Sequence, residues 1–176
     1  MARTVFYTAT SLDGFIADPD DSLDWLFTRQ QDRDGPLNYD DFINDIGAIA
    51  MGRTTYEWVL DHEKGAWPYK TLPSWVFSNH DLREVDADVR FARGDVSDHH
   101  PAMVEVAGGK DVWVCGGGDL AAQFAEAGLL DELIVYIAPV FLGAGAPLFT
   151  RRQELELTEL ARNGDFACAR YAVVTT

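Results

Sequence analysis

The chain of 176 residues has only two cysteines, Cys115 and Cys168, and they form no Cys-x-x-Cys pair. That is too few for a disulfide framework, and both lie in apolar segments where a buried, reduced thiol is the ordinary state. Long apolar runs are missing too, since nothing approaches the roughly 20 residues a membrane helix needs. The N-terminus passes straight into a strand pattern without the apolar core and cleavage site of a leader, which points to the cytoplasm. Cations are scarce, with 14 Lys and Arg against 29 Asp and Glu and a formal net charge of −15. Nucleic acid and anionic membranes demand the opposite sign and are not expected as partners. A small phosphorylated ligand remains open, because a few local donors outweigh a distant field screened over about 8 Å at physiological salt. No serine sits in a Gly-x-Ser-x-Gly elbow, so no serine hydrolase is readable. The adjacent His99 and His100 would point apart on any regular element and lack spaced Asp or Cys partners. A solvated loop is expected there, and no metal.

What is present suits one globular domain over residues 1–176. Ten Phe, six Tyr and five Trp can fill a sizeable core. No repeat or low-complexity tract interrupts the chain. Strands are expected at Thr4–Thr10, with Val5, Tyr7 and Ala9 on one face, and at Ile46–Met51, Ser74–Phe77, Val89–Ala92, Asp111–Cys115 and Leu133–Ala138. Helices are expected at Asn38–Asp45, Arg53–Leu60 and Asp119–Ala127. A further helix, capped by Ser97 or Asp98 with Pro101 at its first position, would run to Ala107. Near the end, alternating segments flank Asn163-Gly164, a hairpin signal. Alternating βα units followed by a hairpin give an α/β fold: a mainly parallel central sheet, helices on both faces and an antiparallel edge. The turn-rich stretch from Ser11 to about Pro36 is long enough to suggest a functional loop.

Three segments carry candidate chemistry. In the first, the buried strand Val112–Cys115 runs into Gly116-Gly117-Gly118 and opens a helix at Asp119-Leu120. Glycines let backbone approach a bulky anion, and a helix start offers unpaired N–H groups to phosphate. The segment lacks the Gly-x-Gly-x-x-Gly pattern, and a plain tight turn is the other reading. In the second, Ala50-Met51 turns through Gly52 into Arg53-Thr54-Thr55-Tyr56-Glu57. Here Arg53 and two hydroxyls could grip phosphate, or a threonine could cap the helix with Arg53 solvated. Two such turns from one sheet reinforce each other, because parallel strands bind ligands at their carboxyl ends. The third, Ala138 to Phe149, is a strand leading into an apolar loop, either lining substrate or serving as a connection.

Ser11-Leu12-Asp13-Gly14-Phe15-Ile16-Ala17, Met51 to Glu57, Trp75-Val76-Phe77-Ser78, Gly116 to Gly118, and Leu129 to Leu133 leading into Ala138 to Gly145 stand in a telling order. The chain resembles the dihydrofolate reductase superfamily over nearly its whole length. Within it, it looks most like the reductase domain of the bacterial riboflavin-biosynthesis deaminase–reductase and its stand-alone relatives. The resemblance implies a three-layer dihydrofolate-reductase-like fold and an NADPH cofactor. It places Gly52, Arg53, Thr54 and Thr55 on the cofactor, with Arg53 and Ser78 at the phosphate that distinguishes NADPH from NADH. Gly116, Gly117 and Gly118 would hold the pyrophosphate, with Asp119 and Leu120 behind, and the first two of those glycines would join through a cis peptide. Ala9, Ile16 and Ala17 would lie near the nicotinamide, and Trp25 in a mobile loop against the site. A homodimer is common among such proteins.

Two positions depart from the pattern. An ungapped alignment back from Met51 puts Pro36 where dihydrofolate reductases keep a carboxylate. Cys115 stands where riboflavin-pathway reductases commonly carry a glutamate, and a neutral thiol cannot do a carboxylate's electrostatic work. The expectation is therefore an NADPH-dependent reductase of a small pterin-like or ribosylaminopyrimidine-like heterocycle, or of a carbonyl or imine. Its rival is an NADPH-binding module without turnover. Asp24 and Asp41 are the candidate proton donors, and Trp25, Phe42, Tyr56 and Leu142 the candidate substrate-lining residues.

Overall fold

A computed structural model describes residues 1–175. The chain runs β1 (Thr4–Ser11), β2 (Phe15–Ala17), α1 (Asp24–Phe27), α2 (Tyr39–Asn44), β3 (Ile46–Gly52), α3 (Arg53–His62), β4 (Ser74–Phe77) and β5 (Val89–Ala92). It continues through α4 (Val96–Ala107), β6 (Asp111–Gly116), α5 (Gly118–Glu126), β7 (Glu132–Ala138), β8 (Ala146–Pro147), β9 (Leu155–Asn163) and β10 (Phe166–Val173). Eight strands form one sheet in the order β5-β4-β3-β6-β1-β7-β10-β9, and β2 pairs with β8 in a second, two-stranded sheet. The first six strands are mutually parallel; β10 and β9 close the edge antiparallel. This is the mainly parallel α/β arrangement with a C-terminal hairpin that the alternation of patterns implies. Among the described residues no helix is long and apolar enough to cross a membrane.

Side-chain alternation along each strand assigns the two faces. Phe6, Val112, Val114, Leu133 and Val135 point into one core with Met103 of α4 and Leu120 and Phe124 of α5. On the opposite face, Ile49, Met51 and Trp113 meet Tyr56, Val59 and Leu60 of α3, with Tyr39 and Phe42 of α2 packed against them. Farther along that face, Tyr136, Phe166 and Cys168 carry Trp25 and Leu26 of α1. Helices thus cover both faces of the sheet, making three layers.

Two boundaries differ from the sequence pattern. Helix α4 begins at Val96 after Asp95, a turn earlier than expected, so Pro101 lies inside it and neither Ser97 nor Asp98 caps it. Pro101 has no N–H for the fourth carbonyl back, a loss tolerated close to a helix start. His99 and His100 therefore sit on a helix rather than in a loop. His99 Nε2 lies 2.9 Å from the Arg93 carbonyl and His100 Nε2 lies 2.8 Å from Thr4 Oγ1. The hairpin tip is also one residue later: Asn163 pairs with Phe166, and Gly164 (φ 59°) with Asp165 makes the turn. Asn163 is thereby freed for another role. Its buried amide donates to the carbonyls of Asp32 and Pro36 and to Tyr136 Oη, and accepts from the Asp32 N–H at 2.8 Å. The long early loop is thus pinned by the end of the chain.

Burial lowers the pKa of His100 below its ordinary 6.5, although Asp131 opposes the shift. The native state holds this ring neutral, so the unfolded chain binds its proton first as pH falls. Stability is full above about pH 6.5 and declines below it toward the lower native value. Urea midpoints should therefore drop between pH 7.5 and about pH 5.5, and His100→Gln should flatten that limb; an unchanged limb would remove His100 as its source.

Candidate functional site

The parallel strands β4, β3, β6, β1 and β7 deliver their carboxyl ends to one edge of the sheet. Strand β3 pairs with β6 so that Met51 lies opposite Gly116, bringing the two strand–glycine–helix turns side by side. Contact between them is tight: a Cβ built on Gly116 would stand 2.5 Å from Thr55 Oγ1. Helix α3 starts from Gly52 and α5 from Gly117, and neither receives a side-chain cap. Thr54 and Thr55 lie inside α3, which removes the reading of a threonine cap. The first N–H groups of both helices are left for a ligand or water, and both dipoles add positive potential at the same edge.

The glycines divide their duties. Gly116 is required by Thr55, and Gly118 by the carbonyls of Pro147 and Leu148, against which any Cβ would collide. At these two positions packing within the protein is enough to require glycine. Gly117 makes the turn with φ 88°, and the space off Gly52 is open. No cis peptide occurs among the described residues, so Gly116 and Gly117 join in trans.

Other cofactor candidates gather at the same edge. Phe77 pairs with Gly52, which sets Ser78 beside the first turn, where its hydroxyl accepts the His80 N–H at 3.0 Å. Arg53 is half exposed and holds Glu57 at 3.1 Å, an i,i+4 pair that a phosphate can outcompete. Asp119 is engaged by Gln123 and Thr150, and Leu120 is buried in the core, so Leu120 can offer only its main-chain N–H. Ile16 and Ala17 belong to β2, whose partner β8 borders Gly118. Asp13 holds the neighbouring loop: its carboxylate accepts from Ser11 Oγ at 2.6 Å and from the N–H groups of Leu142 and Gly143 at 3.0 and 2.7 Å. These bonds, the hydroxyl's first, hold its carboxyl below the usual range.

Beside the second turn opens a cleft of about 490 Å³ on the α1–α3 face. Tyr7, Ala9, Tyr39, Trp113, Cys115 and Tyr136 line it, together with Leu26, Phe27, Arg29 and Phe166. Cys115 immediately precedes Gly116, so the cleft and the turn are continuous. Burial pushes the Cys115 thiol up to about 12 and the phenols of Tyr39 and Tyr136 to about 12, and raises Tyr7 as well. All of these groups are neutral at neutral pH.

The proton-donor and substrate-lining candidates fare differently from the cofactor set. Asp41 is bonded by Asn38 Nδ2 at 2.8 Å and borders a hollow with Arg3 and Asp111 at the amino end of the strands, opposite the glycine turns. Asp24 is exposed on α1 and does not line the cleft. Tyr56 is fully buried, donating to the Arg83 carbonyl at 2.6 Å. Phe42 stacks on Tyr7 from behind, at 4.2 Å between centroids. Trp25 packs against the third core with its Nε1 on the Ser22 carbonyl, leaving its neighbours Leu26 and Phe27 to face the cleft. Leu142 stands outside the cleft, in the loop tied by Asp13. The residues that sequence reasoning missed, Tyr39, Trp113 and Tyr136, share the face assigned to Tyr7 and Ala9. Strand alternation marks that face, but only strand order shows that β6 and β7 flank β1.

A family model, the RibD C-terminal domain, matches residues 3–165. The chain belongs to the RibD C-terminal domain family. YwjB of Bacillus subtilis (strain 168) is 34% identical over 147 residues, covering 84% of this chain and 82% of the relative. A Shewanella sp. PV-4 protein whose name places it in riboflavin biosynthesis superposes with TM-score 0.82 at 27% identity, covering 99% of this chain and 100% of that one. The diaminohydroxyphosphoribosylaminopyrimidine deaminase/5-amino-6-(5-phosphoribosylamino)uracil reductase of Thermotoga maritima gives TM-score 0.65 at 15% identity, covering 98% of this chain and 57% of that one. This last likeness is one of fold.

The Thr55–Gly116 contact can be tested directly. Gly116→Ala should destabilise the protein by about 1–3 kcal/mol through overpacking, and Thr55→Ala should recover part of that loss. A double-mutant cycle by urea unfolding measures it; simple additivity would mean the turns do not touch.

Proposed function

We propose that this chain is an NADPH-dependent reductase, one domain over residues 1–176, that passes a hydride to a small heterocyclic, carbonyl or imine substrate. The carrying observation is the contact of two uncapped helix starts at Thr55 and Gly116, beside an aromatic cleft. The donor set fits a dinucleotide. Main-chain N–H groups at Gly52–Thr54 and Gly117–Leu120 would hold the diphosphate, Arg53 and Ser78 the additional phosphate, and Ala9, Ile16 and Ala17 the nicotinamide. When bound, the reduced nicotinamide supplies the hydride, and the protein contributes orientation and a dry site.

The cleft favours a flat, partly apolar substrate. Trp113, Tyr136 and Phe166 make its lining aromatic, and among the described residues Arg29 is its one basic residue. Its Nε donates only to the Trp25 carbonyl at 3.3 Å, leaving the guanidinium for an anionic substituent. A ribosylaminopyrimidine-like or pterin-like compound suits that lining. The second reading, NADPH binding without turnover, is favoured by the lack of any carboxylate on the cleft wall.

Oxidation of NADPH in the presence of 5-amino-6-(5-phosphoribosylamino)uracil, a dihydropterin and simple carbonyl and imine acceptors separates the two readings. Saturable oxidation with one acceptor is expected; tight NADPH binding with no oxidation by any would favour the module. Arg53→Ala should weaken NADPH about tenfold or more, the loss of a charge-assisted bond, while leaving NADH within about twofold; equal losses in fluorescence titrations would remove Arg53 from the extra phosphate.

We also propose a homodimer formed through the outer hairpin. Leu157 and Leu160 of β9 are 52% and 69% exposed. Their partners Tyr171 and Ala169 share the sheet face that α4 and α5 cover farther in. An uncovered apolar sheet face beside a nine-residue edge strand invites self-association. Sedimentation should show a dimer that Leu160→Lys dissociates; a monomeric parent protein would end this reading.

A further inference from the structure

Hydride addition to a C=N or C=O bond leaves the heteroatom with an electron pair that must take a proton. The cleft wall carries no Asp, Glu or His among the described residues. Its O–H and S–H groups belong to Tyr7, Thr8, Tyr39, Cys115 and Tyr136. Three of those protons are committed to main-chain carbonyls: Tyr7 Oη donates to Leu37 at 3.1 Å, Tyr136 Oη to Pro36 at 2.9 Å, and Thr8 Oγ1 to Ala9 at 3.3 Å. Tyr39 and Cys115 remain.

Tyr39 has a connection that Cys115 lacks. It also forms part of the wall of a neighbouring hollow of about 360 Å³, shared with Tyr69, Trp58 and Glu63. Cys115 does not border that hollow, whereas Tyr69 lines it with Tyr39, and both rings meet Trp113, at 5.9 and 5.7 Å between centroids. Tyr39 therefore stands between the cleft and a second, solvent-facing opening, with a further hydroxyl behind it. We infer that Tyr39 is the proton donor of the reduction and that Tyr69 returns the proton from the second opening. The inference rests on the reductase reading above.

The step balances. The hydride that a bound reduced nicotinamide would supply accounts for the new C–H bond, and the π pair of the C=N or C=O bond would move to its heteroatom. The Tyr39 Oη–H bond breaks as the N–H or O–H bond forms. The two electrons would come from the reduced nicotinamide held at the glycine turns, and the Tyr39 phenolate would recover its proton by way of Tyr69 and water. Burial keeps Tyr39 protonated up to about pH 12, so it arrives charged with its proton, while the Tyr69 hydroxyl partly offsets that rise and favours release.

Single-turnover reduction of the acceptor found in the panel above tests the inference, with Tyr39→Phe, Tyr69→Phe and a protein carrying 3-fluorotyrosine at position 39. Tyr39→Phe should lower the hydride-transfer rate about 100-fold or more, with NADPH affinity within about threefold of the parent. The fluorinated ring, a stronger acid, should move the alkaline limb of the rate profile downward. Tyr69→Phe should lower the rate less and change its solvent isotope effect. An unchanged rate in Tyr39→Phe, an unmoved limb with fluorotyrosine, or a loss confined to Cys115→Ser would overturn the inference while leaving the reductase reading intact. If Tyr39→Phe fails to fold, the fluorotyrosine protein, which preserves the ring, decides by its limb alone. Should the parent protein oxidise no NADPH with any acceptor, the reductase reading fails and this inference with it.

Discussion

The pairing of β3 with β6 is the constraint on which the site depends. Because the strands are parallel, the register that sets Met51 opposite Gly116 also sets one helix start against the other. Thr55 lies so close over Gly116 that no side chain would fit there. Slipping this register would send Trp113 and Cys115 to the opposite face and Val112 and Val114 out of the core, since successive strand residues alternate. The hydrophobic cost of misplacing those side chains is what holds the turns together. The binding edge is thus a by-product of core packing several residues away.

Electrostatics at that edge run against the rest of the molecule. A chain with a formal charge of −15 would repel a dinucleotide phosphate at long range. Locally, uncapped N–H groups, two helix dipoles and Arg53 add positive potential over a few ångströms, inside the screening length of physiological salt. The cleft next to it uses no fixed negative charge. Its acids are phenols and a thiol kept neutral by burial.

Distant parts of the chain stabilise the approach to this site. Asn163, at the end of β9, binds the loop at Asp32 and Pro36, and Asp13 binds the loop at Leu142 and Gly143. Both are short polar side chains satisfying backbone groups that no sheet or helix serves. Loops secured in this way remain surface segments but hold their places.

Much of this could be read from residue order. Strand alternation, helix spacing and turn residues identified the parallel α/β plan and its elements except β2, α1 and β8, each of four residues or fewer and too short for a periodic signal. The two glycine turns were legible because Gly52-Arg53 and Gly116–Gly118 are each contiguous. The cleft was not. Tyr39, Trp113, Cys115 and Tyr136 come from α2, β6 and β7, and meet only because the strand order inserts β6 between β3 and β1. Tyr56 shows the converse, a residue beside the right motif whose helical phase turns it into the core. Periodicity tells which side of an element a residue occupies; neighbours far apart in the chain are chosen by long-range burial, and that choice exists only in the folded molecule.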